Sequence, residues 1–318
     1  MSRKIICVCG PTASGKTDLG VFLAGELGGE VVSADSMQVY RGMDVGTAKP
    51  GPGEMKGIPH HMIDVWDPRE DHSVAQYAAQ ALECMEGVFS RGAVPVVVGG
   101  TGYYFDSILY ENGYAPAPDE KIRAELRSLL QERGKEYLYS MLLEEDPVSA
   151  GRLHPNDTKR VIRALEVKLG SGKTIGEHNA GNMDLPPRFD ALMIGLDFEN
   201  RQALYERIDR RVDAMFSAGL AEEVRQLTES GVSPGRTAMQ AIGYKETAGF
   251  LRGEKTLEET VREIKRNTRR YAKRQLTWFR KYRDMRWIVQ PDEPDREAVR
   301  RVAAGYAADH GIASARGA

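Results

Sequence analysis

The sequence predicts an α/β fold in which a parallel sheet core carries an inserted helical subdomain. Three observations point there. The apolar run "KIICVCG" ends in a glycine-rich loop and is followed by a helical pattern. Apolar runs of the fully buried kind recur at "GEVVSADS" and "AVPVVVGGTG", with helical segments between them, as in a parallel sheet. The alternation stops after "NGYAPAPDE", and helical patterns alone follow until "ALMIGLD" near Ala191.

The elements follow in order. After the first strand, a helix is expected from about Gly15 to Leu27, and then a strand whose end carries Asp35. A helix from Val74 to Ser90 precedes "AVPVVVGGTG". The inserted part reads as helices from Asp119 to Gln131, Lys135 to Glu144 and, after "HPND", Asn156 to Leu169, with Asp157 as a helix cap. Sheet character returns at "ALMIGLD". Helices are then expected over Arg201 to Ser217, Leu220 to Ser230, Gln240 to Leu251 and Leu257 to Tyr282, and "RWIVQ" closes the sheet. Beyond Pro291 one loosely held helix with a frayed end is expected, with no chemistry assigned to it. The boundaries are residues 1–114 and 190–290 for the two parts of the core, 115–189 for the helical insertion and 291–318 for the tail.

Composition narrows the function. The 318 residues are 41% apolar and 28% charged, an ordinary globular balance that excludes disorder and collagen-like classes. No apolar run approaches the roughly 18 residues of a membrane span, and no leader peptide is legible at the amino end, so a cytoplasmic location is expected. The three cysteines form no CxxC pair; Cys7 and Cys9 share one face of the first strand and read as core thiols. Lys and Arg number 44 against 46 Asp and Glu, yet the segment "VREIKRNTRRYAKRQLTWFRKYRDMR" is strongly basic. On its helix Arg262, Arg266, Arg269 and Lys273 share one side, opposite Val261, Ile264, Tyr271, Leu276, Phe279 and Tyr282.

The loop "GPTASGKT", from Gly10 to Thr17, has the GxxxxGKT spacing between a strand and a helix, which makes the core P-loop NTPase-like. The loop of Gly10, Pro11, Thr12, Ala13, Ser14 and Gly15 can turn its backbone N–H groups, which Pro11 lacks, onto phosphate at the start of the helix. Lys16 adds a full positive charge, and Thr17 a hydroxyl for bound Mg²⁺. A GTP switch is excluded because "NDTK" has the wrong order for a guanine-reading NKxD element. A small-molecule kinase stays open on this motif alone. Asp35, a carboxylate at a strand end facing the loop, can hold magnesium through water or accept a proton.

Seven segments, "GPTASGKT", "SADSMQVYRGMDVGTAKP", "PHHMIDV", "VGGTGYY", "HPNDTKRVIRALEV", "AIGYKE" and "YAKRQLTWFR", occur in the order and spacing of the bacterial tRNA dimethylallyltransferases, which this chain resembles from about Lys4 to Val289. The resemblance implies that the phosphate loop holds the diphosphate of dimethylallyl diphosphate rather than ATP. The prenyl group then passes to the exocyclic amine of adenosine at tRNA position 37, beside the anticodon. It carries catalytic roles to Asp35 as base, Thr101, Lys16 and Arg211. It also implies diphosphate contacts by the loop with Arg160 and Arg211, although Arg207, one turn from Arg211, competes for that role. The implied tRNA contacts are Asp35, Ser36, Met37, Gln38, Thr101, Arg123, the run Lys159, Arg160, Val161, Ile162 and Arg163, and the run Gln240, Ala241, Ile242, Gly243, Tyr244 and Lys245. Met37 departs from the family, in which arginine is frequent at that place. The expected partners are a tRNA anticodon stem-loop and dimethylallyl diphosphate, with the chain a monomer. An adenylate prenyltransferase, a P-loop kinase and a non-catalytic RNA-binding module are the competing functions; the helical insertion and the basic helix argue against the first.

Overall fold

The computed structural model describes residues 3–111, 119–179 and 186–313. Six parallel strands form one sheet: β1 (Lys4–Cys9), β2 (Gly29–Ala34), β3 (His60–His61), β4 (Val94–Gly99), β5 (Asp190–Phe198) and β6 (Arg286–Gln290). Their order is β3-β2-β4-β1-β5-β6, so β4 inserts between the first two strands of the sequence. Parallel strands place all carboxyl ends along one edge, where α/β sheets bind ligands. The ends of β1, β2 and β4 carry Gly10, Asp35 and Gly100–Thr101 to that edge.

The inner strands β1, β4 and β5 are buried because their sequences are mostly apolar on both faces. Ile5, Ile6, Cys7, Val8 and Cys9 are all 0% exposed, and burial pushes both thiols well above the ordinary cysteine value. The Lys16–Leu27 helix lies on the sheet through Leu19, Leu23 and Leu27. Its Gly20 meets β4, where a Cβ would stand 2.3 Å from Val98. Burying each such leucine stabilises the fold by about 1.5–3 kcal/mol. The same cluster includes Ala303, Ala307 and Ile312, which corrects the expectation of a loose tail. The Arg296–Asp309 helix packs small alanines flat against the core, and Arg300 pairs with Asp18 at 2.9 Å.

The chain divides into two compact units, residues 1–109 with 188–318, and residues 110–187. The second unit is helical, with Glu120–Arg133, Lys135–Glu145 and Thr158–Ser171 as its longer helices. Leu126, Leu138, Leu142, Val161, Ile162 and Leu165 form its core. Asp157 caps the third helix by accepting the Arg160 N–H.

Two helix boundaries differ from expectation by more than two residues. The stretch expected as a helix from Gln240 is a 3₁₀ turn, Ala238–Gln240, then an open segment to Gly243, and the helix runs from Tyr244 to Leu251. Gly243 has φ 97, a conformation that breaks the helix there. The long basic helix is Leu257–Phe279 and stops before Tyr282. A helix at Gly102–Leu109 had no legible signal. No helix among the described residues is long and apolar enough to cross a membrane.

Candidate active site

The phosphate loop is strained locally and held from outside. Gly15 has φ 93 and Ala13 φ 65; the alanine pays about 1–2 kcal/mol for a left-handed conformation. Side chains from distant elements engage its outward backbone groups. Arg207 Nε donates to Ala13 O (3.0 Å), Gln290 Nε2 donates to Ser14 O (3.1 Å), and Thr12 N–H donates to Gln275 Oε1 (2.9 Å). Gln275 Nε2 in turn donates to Gly100 O (2.9 Å), so one buried glutamine joins the ends of β1 and β4. A Cβ on Gly100 would lie 2.1 Å from Gln275 Nε2, so a glycine there leaves the amide in place. On Gly99 a Cβ would lie 2.1 Å from Ala34 O.

Lys16 Nζ folds back over the loop to Pro11 O at 3.3 Å. Burial, with the nearby Arg211 guanidinium adding to it, pulls the ammonium down to about 8, while Asp35 acts in the opposite direction. Burial likewise lowers Arg211, whose Nε is buried without a hydrogen-bond partner and whose terminal nitrogen donates to Thr47 O at 3.2 Å. Two cations close enough that Arg211 lowers Lys16 suit an anion between them.

Asp35 Oδ1 accepts the N–H groups of Met37 (2.9 Å) and Gln38 (3.3 Å), a turn that fixes the carboxylate at the end of β2. Thr101 Oγ1 accepts the Ser36 N–H at 3.1 Å. Gln38 is committed inward: its amide donates to Thr47 O and Ala48 O, both at 3.3 Å, and it accepts from Ser33 Oγ.

Thr12, Lys16, Thr17, Asp35, Ser36, Met37, Gln38 and Arg211 line one cavity of about 320 Å³ together with Gln240, Ala241, Ile242, Gly243 and Tyr244. That volume suits a small organic group with part of a base. A second, more open cleft meets it at Lys16, Thr17 and Arg211 and adds Arg207 and Arg210. Lys245 is exposed and is not part of the cavity wall. Arg207 lies against the loop backbone, whereas Arg211 belongs to both cavities.

The residues expected in the helical unit are placed as follows. Val161 is 1% and Ile162 8% exposed, so their side chains pack that unit's core and leave only their backbone for the expected contact with tRNA. Glu166 is buried and receives Arg123 at 3.0 Å and Arg163 at 3.1 Å, so both arginines first neutralise this carboxylate. Arg160 is largely exposed and pairs with Asp157 at 2.6 Å, and Lys159 is exposed. Within the first unit, Arg269 on the basic helix is paired with Asp209 at 2.7 Å and Arg266 with Glu263 at 3.4 Å; Arg262 and Lys273 are exposed.

His61 pairs with Glu30 at 2.6 Å, and His60 Nδ1 meets Ile58 O at 2.8 Å, so the adjacent histidines point apart. Arg91 and then His61 hold the Glu30 carboxyl down to about 2. Trp278 packs over Gly102 and Trp287 over Gly195. Sequence reasoning missed Gln275, and it placed Tyr271 on the core face although Tyr271 lines the cavity under Arg274.

A P-loop closed by a lysine and an arginine, with a carboxylate across a small apolar cavity, defines an α/β enzyme that works on a phosphorylated donor. Comparison with known proteins gives the family. The model described as IPP transferase matches residues 38–282, and the chain belongs to that family. It is 47% identical over 302 residues to the tRNA dimethylallyltransferase of Caldanaerobacter subterraneus subsp. tengcongensis, covering 94% of this chain and 96% of that one. Among solved structures, the full-length tRNA isopentenylpyrophosphate transferase of Bacillus halodurans is 40% identical, with TM-score 0.70 and 98% of each chain covered. A eukaryotic dimethylallyltransferase acting on tRNA is 29% identical, with TM-score 0.79, covering 99% of this chain and 81% of that one.

Proposed function

We infer that this chain transfers a dimethylallyl group from dimethylallyl diphosphate to the exocyclic amine of a tRNA adenosine, at position 37 beside the anticodon, and releases diphosphate. The observation that carries this is the shared cavity. Lys16 and Arg211, able to hold a leaving diphosphate, and Asp35, able to take a proton, face the same small space. Family membership and relatives named for this activity support it.

The chemistry follows from charge. As the allylic carbon–oxygen bond breaks, its electron pair leaves on the diphosphate oxygen, and Lys16, Arg211 and the loop N–H groups other than that of Thr12, which Gln275 holds, stabilise the growing negative charge. Each such donor contributes about 2.7–4 kcal/mol to the transition state, by analogy with an oxyanion-hole donor. The amine nitrogen forms the new bond to carbon, and its proton passes to Asp35, which the turn at Met37 and Gln38 holds in place. Thr101 keeps Ser36 and hence that turn in register. The base reaches the cavity only when flipped out of the anticodon loop, and Ser36, Met37 and the Gln240–Tyr244 wall lie where it would be read.

Thr17 lines both cavities, and no group of three acidic, histidine or cysteine side chains able to hold a metal is present among the described residues. Thr17 would be the residue to hold, through its hydroxyl, a Mg²⁺ ion that accompanies the diphosphate. When bound, such an ion neutralises charge on the leaving group. A monomer working in the cytoplasm completes the proposal.

The test is a transfer assay with label on the prenyl group of the donor. Label should appear in tRNA with no ATP present, and ATP should be neither consumed nor able to substitute. Phosphoryl transfer from ATP, or label entering only a free nucleotide, would overturn the function proposed.

A further inference from the structure

Glu223 sits in the first turn of the Leu220–Glu229 helix and is half-buried. Its carboxylate accepts from four donors. Oε2 takes the backbone N–H groups of Asp44 (2.8 Å) and Val45 (2.7 Å), and Oε1 takes the Gly46 N–H (3.0 Å) and the Tyr244 hydroxyl (2.5 Å). Three consecutive amides turned onto one anion form a nest in which the anion is a protein side chain.

The nest fixes the backbone of the next residue. Thr47 O is the acceptor for Arg211, and for Gln38 at 3.3 Å. Because Arg211 Nε has no hydrogen-bond partner among the described residues, the Thr47 carbonyl is what orients that guanidinium. Tyr244 closes the arrangement from the other wall of the cavity. Its ring lies so close to the loop that a Cβ on Gly46 would stand 2.5 Å from it. Neither Glu223 nor loop 44–46 has a role so far.

We propose that Glu223 is a positioning residue for the donor diphosphate: it shapes loop 44–48 so that Thr47 aims Arg211, and it ties this loop through Tyr244 to the acceptor wall. The proposal rests on the diphosphate placement given above. A carboxylate suits the task because it is acceptor-only, with about four lone-pair sites for four donors. Glutamine keeps the shape but turns an NH₂ group toward two of those donors, so Glu223→Gln breaks the nest with little change in volume.

The experiment is steady-state kinetics with donor and tRNA varied separately, on Glu223→Gln, Glu223→Asp, Arg211→Gln and the Glu223→Gln/Arg211→Gln double variant. Loss of a charge-assisted hydrogen-bond network predicts a donor KM raised about tenfold in Glu223→Gln. The tRNA KM should stay within about twofold, Glu223→Asp should recover part of the loss, and the double variant should be no worse than Arg211→Gln alone. A fall in kcat with both KM values unchanged is the signature of a smaller folded fraction and would overturn the proposal, as would full additivity in the double variant. If Glu223→Gln fails to fold, Tyr244→Phe removes one donor and must still raise the donor KM; no change there refutes the proposal. A raised donor KM in Arg211→Gln beside an unchanged one in Glu223→Gln sinks this proposal alone. An unchanged KM in Arg211→Gln sinks the diphosphate placement and this proposal with it.

Discussion

Raising the pH through the value of Lys16 should weaken donor binding and make it take up a proton. The ammonium is pulled from the ordinary lysine range to about 8 by burial and by Arg211. In the free enzyme its protonated fraction is then about 0.9 at pH 7, 0.5 at pH 8 and 0.1 at pH 9. A bound diphosphate favours the charged form and raises that value, so the sign is fixed. Affinity is full below pH 8 and falls as the pH rises through it. Between pH 7 and pH 9 the dissociation constant should rise about tenfold, equivalent to about 1.4 kcal/mol. The terminal phosphate of the donor, with its second ionisation near pH 6, changes little in this window. Calorimetry of dimethylallyl diphosphate binding, without tRNA and in buffers of different ionisation enthalpy, reads the uptake directly: about half a proton at pH 8 and about 0.9 at pH 9. Lys16→Gln should bind weakly and abolish both the uptake and the pH slope. Flat affinity over this range in the native enzyme would refute the placement of Lys16 against the diphosphate.

Three further outcomes are expected. Asp35→Asn should lower single-turnover transfer about 10²- to 10⁴-fold while tRNA affinity changes no more than a few-fold; an unchanged rate removes Asp35 as the base. Gly100→Ala should displace Gln275 from the phosphate loop, lowering stability by about 1–3 kcal/mol in urea unfolding together with donor affinity, and native behaviour would show that the glutamine is dispensable. Ala307→Asp puts a charge into the packed face of the carboxyl-terminal helix and should lower the melting temperature by several degrees, whereas an unaltered Tm would return that helix to a loose tail.

The parts of the fold legible in the sequence are those whose signal is local. The phosphate loop declares itself by glycine spacing between a buried apolar run and a helix, and β1, β4 and β5 are mostly apolar on both faces. The order of the strands was not legible, because β4 enters between β1 and β2 by a non-local choice of partner. The two-residue strand His60–His61 is too short to show a period. The tail helix misled because its buried face is alanine, Ala303 and Ala307, whose small side chains carry little hydrophobic signal yet pack closely. Gln275 and Glu223 look like ordinary polar helix positions; only the approach of distant backbone gives them work. In the helical unit a signal did exist. Arg163 and Glu166 are three apart on one helix, the spacing of an ion pair, which marks at least one of the expected RNA contacts as already engaged.

The measurement that tests the central claim most directly is mass spectrometry of nucleosides and of mapped fragments from unmodified tRNA incubated with the protein, dimethylallyl diphosphate and Mg²⁺, with AMP as a parallel acceptor. One added prenyl group is expected on the amine of the adenosine at position 37, and none on AMP. Prenylated AMP with unmodified tRNA, or no prenylated product from either acceptor, would contradict it.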